Sequence, residues 1–232
     1  MMGFNAKQQT ALKRCATIMS EGMQAFQEMK SPSGLRDLTQ LDHYCYHVAG
    51  VVGEMLTELF CQHSEEISKN RERLFALAVS FGQGLQMTNI LKDLWDDRAR
   101  GACWLPRDVF LKSGFDLGNL TKEKYEEAFG NGLAALIGIT LVHLKNALSY
   151  SLMIPKQERG IRRFCLWAIG MAIFTLRNIN RRRDFGSGQD VKISRRTARA
   201  VILLSNLALR NNFLLKTLFE ITTRPLPAGN TL

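Results

Sequence analysis

What this 232-residue chain lacks narrows it before anything else does. It has five cysteines, an odd number, and no Cys-x-x-Cys pair. That pattern excludes a disulfide framework or a zinc site and fits reduced thiols in a cytoplasmic setting. It has only five prolines, with no Pro/Ser linker, repeat or low-complexity segment to divide it. The N-terminal stretch MMGFNAKQQTALKR has no apolar segment of the signal-peptide kind. The longest apolar run, FCLWAIGMAIFTL at 164–176, has 13 residues, too few for a bilayer span and suited to a buried helix. Acids are scarce at one end only. From 155 onward there are 15 Lys and Arg against 4 Asp and Glu, whereas 1–154 hold 16 against 17. Such a basic third suits nucleic acid, an anionic membrane surface or a polyanionic substrate, or is simply a solvated helix face.

What the chain does have is helical periodicity. Apolar residues return every three or four positions, with almost no alternating runs, and place helices near 6–30, 36–62, 70–98, 121–152, 158–182 and 195–221. Between them lie SPSG at 31–34, GACWLP at 101–106, Ile154-Pro155 and DFGSG at 184–188. The expectation is an all-α single domain over 1–222, followed by a flexible tail over 223–232.

One helix carries an unusual stripe. Gly82, Gln86, Asn89, Asp93 and Asp97 share a face of the segment QMTNILKDLWDDRARGACWLP and the turn before it. Asp93 and Asp97 are one turn apart, and like charges so spaced destabilise an isolated helix by a few tenths of a kcal/mol, about 0.3. A cation between them removes the penalty, and hard oxygen donors suit Mg²⁺, which keeps waters and shares substrate phosphates. Gly82 leaves room at the apolar end of the stripe. The alternative is a solvated, salt-bridged surface completed by Arg98 and Arg100. An EF-hand is excluded, because the run lacks its glycine and its twelfth-position glutamate.

A second stretch, DHYCYHVAGVVGEML at 42–56, sets Tyr44, Tyr46, His43 and His47 beside Ala49, Gly50 and Gly53. Glycine inside a helix costs about 1 kcal/mol relative to alanine, so it marks close approach by another helix or a ligand. His43 and His47 are one turn apart but lack an acidic partner, and fit partly buried polar positions better than a metal pair.

Together, YCYHVAGVVG (44–53) and QMTNILKDLWDDRARGACWLP (86–106) resemble the squalene and phytoene synthase family. Weaker similarity continues through FCLWAIGMAIFTLRNI (164–179) and VKISRR (191–196), closer to the squalene type. The resemblance implies a helical isoprenoid-synthase fold. It implies head-to-head joining of two farnesyl or geranylgeranyl diphosphates through a cyclopropyl diphosphate, with Mg²⁺ on two aspartate-rich helices. The second of those motifs falls on Asp93, Asp96 and Asp97, with Asn89 as a further metal ligand and Gln86 as a substrate contact. Tyr44 falls on the active-site tyrosine, while Val48 and Ala49 would line the prenyl channel.

Two departures accompany the match. Ala102 stands where the family usually has arginine, and the first aspartate-rich motif has no counterpart in 1–43, so the chain is expected to be N-terminally incomplete. No nucleotide fingerprint is present, and NADPH use would rest on the resemblance alone. Lys192 and Arg195 are candidates to reach a substrate diphosphate. The basic stretches at 177–185 and 192–199 do not interleave aromatics as nucleic-acid binders do, and suit peripheral contact with an anionic membrane instead.

Overall fold

The computed structural model describes residues 4–229. Twelve α-helices follow in order among these residues: α1 (Ala6–Glu28), α2 (Leu38–Cys45), α3 (Val51–His63), α4 (Glu65–Ser68), α5 (Arg71–Lys92), α6 (Leu94–Ala99), α7 (Arg107–Lys112), α8 (Glu127–Met153), α9 (Arg159–Arg181), α10 (Gly188–Val191), α11 (Arg195–Ala208) and α12 (Asn212–Thr223). A π-helical segment, Tyr46–Gly50, joins α2 to α3, and a 3-10 turn covers Leu117–Asn119. The all-α expectation holds among the described residues, which form no strand.

Local chemistry sets the helix ends. Asn5 and Gln8 form a reciprocal capping box at the start of α1. The Asp37 side chain accepts from the Gln40 N–H, and the Ser194 hydroxyl from that of Thr197. Ile154 ends α8 in an extended conformation, as a residue before proline must. Gly101, at φ 77°, closes α6, and the Ala102 N–H returns to the Asp97 carbonyl at 3.0 Å.

Helices α5 and α8 form the central pair, with α3 and α9 packed against α5. Leu74, Ala78, Met87 and Leu91 of α5 are buried with Leu133, Leu136, Ile137 and Leu144 of α8. The glycines mark close approach, as expected. A Cβ on Gly53 would lie 2.2 Å from the Ala78 carbonyl oxygen, and one on Gly82 2.2 Å from that of Ala49. Gly82 therefore makes room for the π segment rather than for a ligand, which corrects the expectation for that position. His47 fills the space over Gly22 and bonds the His43 carbonyl through Nδ1, in the partly buried setting expected of it, while His43 is exposed. All five cysteines are buried and free.

Three expected helices are interrupted. The span 36–62 contains the π segment, 70–98 breaks at Asp93 (φ −93°, ψ 11°), and 195–221 breaks at 209–211. The tail is tied down further than composition suggests. Leu226 is buried in the core, the Pro225 carbonyl accepts from Asn180, and Gly229 packs against Gly138; residues 230–232 lie outside the described chain. By length and composition α5 and α8 could each cross a membrane, although the 13-residue run is not in either. Half of each apolar window is buried by other parts of this fold.

Candidate functional site

The break at Asp93 is where the acidic stripe opens. A cavity of about 500 Å³ lies over the α5–α6 junction, lined by Gln86, Asn89, Asp93, Asp96 and Asp97 from these two helices. Tyr44 of α2 enters from one side, with Ile90, Lys92, Arg100 and Trp104 completing the lining. Six residues expected from the sequence thus meet in one cavity: Tyr44, Gln86, Asn89, Asp93, Asp96 and Asp97. Lys192 and Arg195 are exposed and do not line it. Val48 and Ala49 sit in the π segment, partly buried, and do not line it either.

Trp104 is the participant that periodicity could not find. The loop 31–35 pairs with 103–107 through Cys103 N–H to Ser31 O, Leu35 N–H to Leu105 O and Arg107 N–H to Leu35 O. This pairing lays the Trp104 ring flat on Tyr44, with centroids 4.3 Å apart and planes 8° apart. Phe26 closes the other edge of Tyr44 at 5.1 Å in a T-shaped contact. Arg98, expected on the acidic surface, instead holds two loops, donating to the carbonyls of Pro32 and Leu120. Trp95 is buried, donates to the Phe185 carbonyl and does not line this cavity.

The electrostatics of the cavity are unbalanced. Burial, then the charge of Asp93, pushes the Asp97 carboxyl above its ordinary range, and Arg100 only partly offsets them. Asp93 has a cation of its own, Lys92, whose Nζ is 3.2 Å from Oδ2. Burial and the negative charge of Asp97 raise the Tyr44 phenol to about 12, so it stays protonated and can donate but cannot serve as a base at neutral pH. Gly188 of α10 packs close to this acid cluster; a Cβ there would lie 3.2 Å from Asp93 Oδ1 and 3.4 Å from Asp96 Oδ2.

The donor set is all hard oxygen, which suits Mg²⁺. Among the described residues no three His, Cys, Asp or Glu side chains are grouped to hold a metal by themselves. The residues therefore fit a metal that takes its remaining ligands from water and a bound anion, and do not fit a closed protein cage. A second cavity, of about 450 Å³ between α1, α3 and α5, differs in that both of its acids are paired within it, Glu54 with Arg14 at 2.7 Å and Glu58 with Arg71, with Lys7 as a further cation on the lining.

Solved structures share this architecture. A ligand complex of TcSQS superposes with a TM-score of 0.71 at 21% identity, covering 94% of this chain and 62% of that one. A dehydrosqualene synthase superposes with a TM-score of 0.67 at 19% identity, covering 85% of this chain and 65% of that one. The fold is that of the helical terpenoid synthases. The family model for squalene/phytoene synthase matches residues 4–197, and the chain belongs to that family. Squalene synthase of Cyberlindnera jadinii is 29% identical over 202 residues, which are 85% of this chain and 44% of that protein. Squalene synthase of Bos taurus is 32% identical over 73% of this chain and 39% of its own length. Phytoene synthase of Pseudescherichia vulneris is 29% identical over 71% of this chain and 55% of its own. The chain thus spans about half or less of the length of these curated relatives.

Proposed function

We propose that this chain carries the second aspartate-rich half of a Mg²⁺-dependent prenyltransferase site, acting in head-to-head condensation of two farnesyl or geranylgeranyl diphosphates with loss of diphosphate. The observation that carries this reading is the cavity in which Asp93, Asp96, Asp97, Gln86 and Asn89 face a stacked Tyr44–Trp104 pair. Asp93, Asp97 and Asn89 would hold the metal, with Asp96 at the rim. Bound there, Mg²⁺ would neutralise charge developing on the departing diphosphate. Arg100 and Lys92 add positive charge at the same wall, and Arg100 offers a cation two positions before Ala102, where the family usually has arginine. The Tyr44 and Trp104 rings give an apolar, π-rich wall against which an allylic cation would be sheltered from water. The Tyr44 hydroxyl keeps its proton, because burial and the negative charge of Asp97 disfavour the phenolate.

The test is calorimetric titration of the purified chain with farnesyl diphosphate, with and without Mg²⁺. Metal-dependent binding is expected, weakened at least 10-fold by Asp93→Asn and by Asp97→Asn. Binding indifferent to both substitutions and to the metal sinks the assignment. Diphosphate release in the same samples separates this reading from its alternative, a non-catalytic relative that binds prenyl lipid or an intact synthase.

A further inference from the structure

The α11–α12 hairpin presents an apolar tip that the core does not use. Leu203, Leu207, Phe213 and Leu214 are all exposed, Leu207 by 71% and Phe213 by 79%. These are large side chains on two consecutive helices, on either side of the short 209–211 connection. The tip is not loosely held. Val201 packs over Gly170, and Ala208, Leu209 and Leu215 are buried with Leu148 and Leu166. The fully buried Arg162 guanidinium donates to the Leu209 carbonyl and to Asn212 Oδ1, fixing the turn between the helices.

Charge decides what fits this tip. The stretch 191–223, which runs to the end of α12, contains Lys192, Arg195, Arg196, Arg199, Arg210 and Lys216 against a single acid, Glu220 in the last turn of α12. All six cations are exposed. A two-fold contact with a second copy would set this cationic rim against itself. We infer that the α11–α12 hairpin is a docking surface for an anionic lipid bilayer, with Leu203, Leu207, Phe213 and Leu214 entering the headgroup–acyl boundary and the six cations facing lipid phosphates. Apolar insertion plus electrostatic attraction is the ordinary basis of interfacial binding, and neither part suffices alone at modest area. This surface does not line the acidic cavity, so docking is independent of the proposed chemistry and its failure would leave that reading intact.

The experiment is co-sedimentation with large vesicles of phosphatidylcholine and phosphatidylserine at 7:3, alongside pure phosphatidylcholine. Binding is expected on the anionic vesicles only, reduced at least 10-fold by 0.5 M NaCl. The double variant Leu207→Asp, Phe213→Asp should lower it at least 10-fold without changing the circular dichroism, since both side chains are already in water. Arg199→Ser with Arg210→Ser should weaken it on anionic vesicles by a smaller factor. Absence of binding to the anionic vesicles, or equal binding by the double aspartate variant, overturns the inference. So does a concentration-dependent dimer that the double variant abolishes, which would make the tip an interface between copies.

Discussion

Arg162 and the Asp93–Asp97 pair show two opposite treatments of charge in one small fold. Arg162 is wholly buried and fully employed, donating to the carbonyls of Leu209, Ser151 and Ile154 and to Asn212 Oδ1. It joins the end of α8, the start of α9 and the α11–α12 turn. Asp97 is half-buried beside another acid, with its carboxyl pushed up and only Arg100 in compensation. The first arrangement is complete within the chain, whereas the second leaves an electrostatic demand that a cation from outside would meet. Charges satisfied internally hold structure, and charges left unsatisfied in a cavity mark a place prepared for a ligand.

The largest test of that contrast is Arg162→Leu. It strips four hydrogen bonds from buried acceptors, and unfolding free energy should fall by about 3–5 kcal/mol, measured by urea denaturation. A loss below about 1 kcal/mol would break the comparison on the structural side.

Next comes the α5–α8 seam, which shows a third treatment, a titratable group kept neutral. His143 Nδ1 lies 2.8 Å from Ser80 Oγ, which accepts from Asn146 at 3.0 Å, while Nε2 is buried without a partner. Burial lowers this imidazole to about 4 from 6.5. Between those values the unfolded chain binds the extra proton and the folded chain does not. Stability is therefore unaffected by this group above pH 6.5 and falls as pH drops toward 4, by about 3 kcal/mol in all. Comparing denaturation curves at pH 7 and pH 4.5 checks it, and His143→Gln should flatten the slope.

The smallest expected effect sharpens the comparison most. Because ionised Asp97 is held at a raised pKa, its charge costs stability at neutral pH, and Asp97→Asn in metal-free buffer should raise unfolding free energy by a few tenths of a kcal/mol, about 0.3. The same substitution should weaken Mg²⁺-dependent diphosphate binding. A variant that loses stability instead would show that Asp97 is structural.

Much of the site could be read from the chain. Gln86, Asn89, Asp93 and Asp97 share one face of a regular helix, so spacing grouped them, and Asp96 entered with the motif resemblance. Tyr44 joined them through the motif resemblance. Trp104 and Arg100 stood inside the quoted GACWLP and DDRARG stretches, yet nothing in their spacing says that Trp104 stacks on Tyr44. That contact depends on the pairing of 31–35 with 103–107, two irregular loops without periodicity. Lys192 and Arg195 failed to join for the complementary reason. Their charge suits diphosphate, but they sit exposed beyond α10, outside the cavity.

The α helices and their approximate limits were set by local pattern, because apolar periodicity, caps and proline act within a few residues. So were the all-α class, the acidic stripe and the basic C-terminal third. Tertiary packing decided the rest. It produced the π segment at Tyr46–Gly50 against α5, the fate of Gly82, the burial of Leu226 in a proline-bearing tail, and the exposure of Leu207 and Phe213. Each of these depends on which surfaces meet across long separations in sequence, and burial is a property of the meeting rather than of the residue.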